Sequence, residues 1–220
     1  MDNFSVFDIV GPRMTGPSSS HTAGAVRLAH KARHIADFDV AEVVFTLYGS
    51  FAETGRGHGT DKALIAGVMG MEQDDPRIKN AYELAREQGL MVEMIYSDEP
   101  MEHPNTARIR ITSANGEVTE VVGCSVGGGN ILITQINGFD VELTGDYPTT
   151  IIQHKDETGV IAEVSHVLAQ MNVNIAFMRV FRHSKGDDAY MTIETDEEVG
   201  ADVLYMIDKL CPTVKKVFSA

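Results

Sequence analysis

The order of apolar periodicities after residue 148 constrains this 220-residue chain more than any other feature. Residues 149–153 read as a strand, Lys155-Asp156-Glu157-Thr158-Gly159 as a loop, and residues 160–171 as a helix with Val160, Ile161, Val164, Val167 and Leu168 on one face. Residues 173–182 alternate as a strand, Ser184-Lys185-Gly186-Asp187 is a turn, and residues 189–194 form its hairpin partner. A helical pattern over 199–210 and a strand over 214–218 follow.

This βαββαβ order is a ferredoxin-like arrangement. The arrangement hosts many functions, so function has to be read from particular residues. The chain divides near Gly145-Asp146-Tyr147-Pro148, which predicts one domain over 1–146 and a second over 148–220. Upstream, helices are expected over 22–35, 63–71 and 77–88, the last stopped by Gly89. Strands are expected over 43–47, 90–96, 107–112, 118–122 and 131–136, with a hairpin turn at Ala114-Asn115-Gly116-Glu117. The fold class is therefore α+β in both halves.

A hydrophobic content of 43% with well-mixed charge indicates a folded chain. The net charge of −14 argues against a nucleic-acid or anionic-membrane surface, because both require Lys and Arg to meet phosphates. No run approaches the ~20 apolar residues that span a bilayer, and the first residues lack a cleavable leader pattern, so a cytoplasmic protein is expected. Cys124 and Cys211 are far apart in sequence, lack ligand-type spacing, and read as small buried hydrophobes.

Two clusters carry chemistry. Gly16-Pro17-Ser18-Ser19-Ser20-His21-Thr22 places three hydroxyls and an imidazole at a helix start, where first-turn N–H groups and hydroxyls can hold a carboxylate or phosphate. The second, Tyr48 through Lys62, reads as a glycine-rich loop between a strand and a helix, presenting His58, Thr60 and Asp61. Smaller motifs have plainer readings. His103-Pro104-Asn105-Thr106 is a turn, Gly127-Gly128-Gly129 a tight bend, and His30 with His34 a pair of surface or interface histidines on one helical face.

His154-Lys155-Asp156-Glu157-Thr158-Gly159-Val160-Ile161, followed by Asn172-Val173-Asn174-Ile175, resembles the ACT domain, a module that binds amino acids at subunit interfaces. The likeness spans residues 148–220 and is nearest to the serine-sensing ACT domains of phosphoglycerate dehydrogenases. It implies an effector site of His154, Asp156, Gly159, Val160, Asn174 and Ile175, and homodimerisation through this domain. Asp156 stands where those dehydrogenases have Asn, and a carboxylate accepts from an ammonium group but cannot donate to a carboxylate.

The upstream motifs Ser18 to Thr22, Leu47-Tyr48-Gly49-Ser50, Gly55 to Asp61, His103 to Thr106 and Ser125-Val126-Gly127-Gly128-Gly129 occur in the order seen in iron-sulfur-dependent L-serine dehydratases, and together they resemble the beta domain of that family. The resemblance implies an N-terminal domain like the allosteric substrate-binding domains of some phosphoglycerate dehydrogenases. It also implies β-elimination of L-serine to pyruvate and ammonia, a base for the α-proton, donors for the carboxylate, and a 4Fe-4S cluster that polarises the leaving hydroxyl. Two cysteines cannot ligate such a cluster, so the cluster is expected on a separate alpha chain, without which this chain is inactive.

His58 is the first candidate for a catalytic residue and His21 the second, with Ser18, Ser19, Ser20, Thr22, Thr60 and Asp61 binding substrate. An imidazole ordinarily titrates near ~6.5, which suits either for proton transfer at neutral pH, and the sequence leaves the choice open. Two other readings are a purely regulatory amino-acid-binding module and a free-standing hydrolase using Ser20 and His21. The second is disfavoured because adjacent residues on one helix rarely reach nucleophile–base geometry.

Overall fold

The computed structural model describes residues 13–182 and 184–219. The chain forms two units, one of residues up to Gly138 with Glu142–Thr144, the other of Phe139–Val141 with Gly145–Ala220.

In the first unit the β-branched and aromatic run after Asp39 forms β1 (Val40–Tyr48), which pairs in parallel with β2 (Met91–Ser97) and antiparallel with β3 (Thr106–Ser113). The chain then continues through β4 (Val118–Gly127), β5 (Asn130–Ile136) and β6 (Phe139–Leu143), giving the sheet order β2-β1-β3-β4-β5-β6. Alternation places Val43, Phe45 and Leu47 of β1 opposite Ile111, Ile109 and Ala107 of β3, and all six are fully buried. The first helix, α1 (Ala25–Ala36), buries Ala25, Val26, Leu28, Ala29, Ala32, Ile35 and Ala36.

Residues 49–58 differ from the expected glycine-rich loop. They form a helix, α2 (Gly49–His58), which ends at Gly59 and is followed directly by α3 (Thr60–Val68). Each helical glycine costs about 1 kcal/mol in propensity, and tertiary packing outweighs it: Phe51 is fully buried, Phe51 N–H donates to Pro104 O, and Gly55 lies against Thr60. Gly59 has φ +73°, the left-handed conformation that lets its N–H close onto Gly55 O and turn the chain into α3. The expected helix over 77–88 is a 3₁₀ turn, Pro76–Asn80, capped by Asp75, followed by α4 (Ala81–Glu87). Strand β6 was not anticipated, although Asn137 and Gly138, at φ 51° and 80°, form the Asn-Gly turn that leads into it.

The second unit follows the expected order: β7 (Thr149–Lys155), α5 (Val160–Gln170), β8 (Ile175–Arg182), β9 (Asp188–Thr195), α6 (Ala201–Leu210) and β10 (Val214–Ser219). Its antiparallel sheet runs β10-β7-β9-β8. The apolar stripe of α5, Val160, Val164, Val167 and Leu168, packs with Ile152, Met191, Ile193, Ile207 and Cys211 in one core. Among the described residues no helix is long and apolar enough to cross a membrane.

Candidate functional site

Ser18 caps the first helical segment as expected. Its hydroxyl accepts from His21 N–H at 3.2 Å, and its carbonyl accepts from Thr22 N–H at 2.9 Å. Two of the first-turn N–H groups are thus spent within the cap, which leaves less of the helix end for an anion than the sequence suggests. The segment is a single π-helical turn, Ser19–Gly24, running into α1. Gly24 is pressed onto β4: a Cβ there would lie 2.1 Å from Ser125 Oγ. Wide turns of this kind often re-aim functional side chains.

The wide turn presents His21 to α2. Its Nε2 lies 3.2 Å from Ser50 Oγ, 3.1 Å from Thr54 Oγ1 and 3.4 Å from Ser50 O, and its ring meets Phe51 edge-on at 5.2 Å. Ser50, Thr54 and His58 recur every four residues and so share one face of α2. His58 stands on the last turn of that helix and not on a loop. Its ring centroid is 4.8 Å from that of His21, and its Nδ1 lies 3.1 Å from Thr54 O. A carbonyl only accepts, so Nδ1 of His58 carries a hydrogen, and in the neutral ring Nε2 presents a lone pair. Burial lowers the His21 pKa, a hydrogen bond to the Ser50 carbonyl raises it, and the neighbouring His58 lowers it, with a net downward shift.

Ser19 and Ser20 are partly exposed beside Ser18. Thr22 and Thr60 are instead buried, at 2% and 0% exposure, Thr22 under Gly16 and Thr60 under Gly55. Asp61 accepts from Tyr82 Oη at 3.0 Å, and with burial this carboxylate pushes the Tyr82 pKa well above its ordinary value. The structure therefore brings together Ser18, His21 and His58 but holds Thr60 and Asp61 in packing and pairing of their own. Thr22 Oγ1, Thr60 Oγ1, Asp61 Oδ1 and Ser125 Oγ are buried without hydrogen-bond partners among the described residues, on elements that pack around the π turn. Ser50 and Thr54 escaped the sequence reading. Their signal, a four-residue repeat ending at His58, is visible only once residues 49–58 are helical.

The other motifs keep local roles. His103 Nδ1 accepts from Asn105 N–H at 3.2 Å and His103 O from Thr106 Oγ1 at 2.6 Å, a side-chain-closed turn as expected. Gly127 to Gly129 all have positive φ and form the bend between β4 and β5. On the opposite side of α2 a cleft of about 470 Å³ lies between Gly49, Ala52 and Glu53 and residues 96–104. Arg56 stacks over Tyr96 with its guanidinium carbon 4.4 Å from the ring centre.

In the second unit His154 is 2% exposed. Its Nδ1 donates to Lys155 O at 2.8 Å, and its Nε2 is buried without a partner among the described residues. Asp156 accepts from Gly186 N–H at 3.0 Å and Arg182 Nη1 at 2.9 Å, which hold its carboxyl below the usual range. Asn174 donates to Asp196 Oδ2 at 3.0 Å on the wall of a cleft of about 340 Å³. Gly159, at φ 107°, starts α5, Val160 is in the core, and Ile175 opens β8. Asp156 and Asn174 are thus each paired within the chain.

The thiols do not fit an iron-sulfur cluster. Cys124 and Cys211 are both buried, burial pushes both thiols upward in pKa, and no group of three or more His, Cys, Asp and Glu among the described residues is arranged to hold a metal ion.

Two family models match the chain: the serine dehydratase beta chain over residues 4–94 and the ACT domain over residues 149–204. These matches and the second unit's topology define a serine dehydratase beta domain followed by an ACT domain. A probable L-serine dehydratase beta chain of Bacillus subtilis is 45% identical over 206 residues, covering 94% of this chain and 93% of that one. The L-serine dehydratase beta chain of Peptoniphilus asaccharolyticus is 40% identical over 200 residues, 90% of this chain and 89% of that one. The chain belongs to the L-serine dehydratase beta chain family. A D-3-phosphoglycerate dehydrogenase of B. subtilis is 31% identical over 142 residues, 63% of this chain but 26% of that one.

Proposed function

We propose that this chain supplies the proton-accepting and carboxylate-holding side of an L-serine dehydratase site, which a cluster-bearing alpha chain completes. The observation that carries the reading is the hydrogen bond from His58 Nδ1 to Thr54 O, which leaves Nε2 as a lone pair beside His21. A lone pair so oriented is what removal of an α-proton requires. Ser19 and Ser20 lie on the neighbouring turn with hydroxyls suited to a carboxylate, while the Ser18 hydroxyl is engaged with His21. Family membership over nearly the whole chain favours this over a purely regulatory module.

In the proposed reaction His58 Nε2 takes the α-proton of L-serine while the hydroxyls of Ser19 and Ser20 hold the substrate carboxylate and His21 fixes the floor of the site. The Lewis acid for the leaving hydroxyl belongs to the alpha chain, since the two thiols here do not fit a cluster. Exposed Phe177 and Val180 on the edge strand β8 support ACT-mediated pairing with a second copy. A cytoplasmic location fits a chain of this composition.

Mixing the purified chain anaerobically with its alpha chain tests the proposal. Pyruvate is expected from L-serine only in the mixture, and His58→Ala is expected to abolish it while co-purification persists. Wild-type turnover in that variant removes His58 from the role of base.

A further inference from the structure

We infer that Thr54 is a positioning residue whose hydroxyl, with the Ser50 carbonyl, fixes His21 in its Nε2–H tautomer and so aims a neutral ring at His58. The inference rests on the reading of His58 as the base, but it is argued from different bonds.

The hydrogen-bond inventory decides the tautomer. Thr54 Oγ1 donates its one hydrogen to Ser50 O at 2.9 Å, the back-bond within a helix. Toward His21 it therefore offers only a lone pair, at 3.1 Å from Nε2. Ser50 O, at 3.4 Å from the same nitrogen, also only accepts. Ser50 Oγ, at 3.2 Å, can accept from Nε2 as well, because its own hydrogen can go to Thr54 Oγ1 at 3.4 Å. A lone pair on Nε2 would face two groups that only accept, whereas an Nε2–H finds an acceptor in each of its three neighbours. The other ring nitrogen, Nδ1, is then the acceptor and lies 3.5 Å from Ser18 Oγ. That hydroxyl already accepts from His21 N–H, so its own hydrogen is free for Nδ1.

The consequence reaches His58. One residue holds both rings, Thr54 Oγ1 meeting His21 and Thr54 O meeting His58 Nδ1. With the two rings 4.8 Å apart, a positive His21 would oppose proton uptake by His58. Burial already disfavours that charge, and the tautomer lock satisfies both ring nitrogens without it. A neutral, immobile His21 therefore lets His58 become charged as it takes a proton.

Thr54→Val removes the hydroxyl and keeps the shape, and the site is exposed on a helix, so folding is retained. Two readouts test it. The first is the imidazole ¹⁵N spectrum of the full chain: wild type is expected to show His21 as the Nε2–H tautomer, Thr54→Val a mixture with Nδ1–H, and Thr54→Ser the wild-type pattern. The second is turnover of the two-chain enzyme, where Thr54→Val is expected to lower kcat about tenfold with KM little changed, the size of one lost hydrogen bond, and Thr54→Ser to restore it. An Nδ1–H tautomer in wild type, or an unchanged tautomer and kcat in Thr54→Val, overturns the inference. Retained activity in His58→Ala would overturn the base assignment alone, because the ¹⁵N readout does not depend on turnover.

Discussion

The imidazoles of His21 and His58, from two motifs that are separate in sequence, lie 4.8 Å apart and are tilted by 42°. Neither ring reaches the other by local chain geometry. The π turn sets one, the last turn of α2 sets the other, and the face of α2 carrying Ser50 and Thr54 lies between them.

Ser18 closes the helix start and faces His21 Nδ1, so Ser18→Ala should act twice. The lost cap should cost about 1 kcal/mol, which in a chain of this size lowers Tm by roughly 2–4 °C. Losing the hydroxyl that faces His21 Nδ1 should also lower kcat for L-serine more than it raises KM. Thermal melts and steady-state kinetics of the two-chain enzyme check both, and an unchanged kcat removes Ser18 from the positioning of His21.

Gly24 meets Ser125 so closely that a methyl group cannot enter, the would-be Cβ lying 2.1 Å from Oγ and 2.7 Å from Cβ. Gly24→Ala should destabilise by about 1–3 kcal/mol, the usual penalty of overpacking. Ser125→Gly in the same chain should recover part of it, since residues in contact are not additive. Urea midpoints of the two single variants and the double variant measure the coupling. Strict additivity would mean that the turn shifts away from β4 instead of clashing.

His30 and His34 touch edge-on at 4.7 Å on α1, with Glu72 at 3.9 Å from His30 Nδ1. Burial lowers both pKa values. The His34 ring, Lys31 and Arg33 also lower that of His30, Lys31 and Arg33 lower that of His34, and Glu72 opposes both shifts, joined at His34 by Asp37. The folded state thus binds fewer protons than the unfolded state below the ordinary imidazole pKa of ~6.5. Stability is full above that value and falls as pH drops from it toward the lowered folded values. The double variant His30→Gln/His34→Gln should lose less stability between about pH 7.5 and about pH 5 than wild type. Equal losses would show that other groups govern the acid limb.

Asp156 is held ionised by Gly186 N–H and Arg182, which join the loop before α5 to the β8–β9 turn. Its depressed pKa gives stability that is present above the ordinary carboxylate value of ~3.9 and is lost as pH falls through the lower folded value. Asp156→Asn should flatten that limb, leaving thermal midpoints near about pH 3 closer to those near neutrality than in wild type. The variant also replaces the carboxylate with an amide that can donate, and calorimetry with L-serine, run on both proteins, tests whether this loop takes part in amino-acid binding.

The elements of residues 149–219 were legible because the two helices carry one apolar stripe each, the strands are short runs of β-formers, and the turns between them carry standard turn residues. The catalytic-type residues His21 and His58 were legible as residue types in motifs. Residues 49–58 were not legible as a helix, since three glycines argue locally against one and only the burial of Phe51 and Gly55 overrules them. Ser50 and Thr54 went unseen for the same reason.

By itself the sequence determined the two-part α+β plan, the family, and which motifs hold imidazoles and hydroxyls, because these depend on local periodicity and residue chemistry. Only the tertiary structure decided that α2 exists, that its Ser50–Thr54–His58 face meets the π turn at His21, and that Thr60 and Asp61 are held elsewhere. The reason is physical. Hydrogen-bond partners, and with them the tautomers, are set by the distances at which packed elements meet, and those distances are not a local property of the chain.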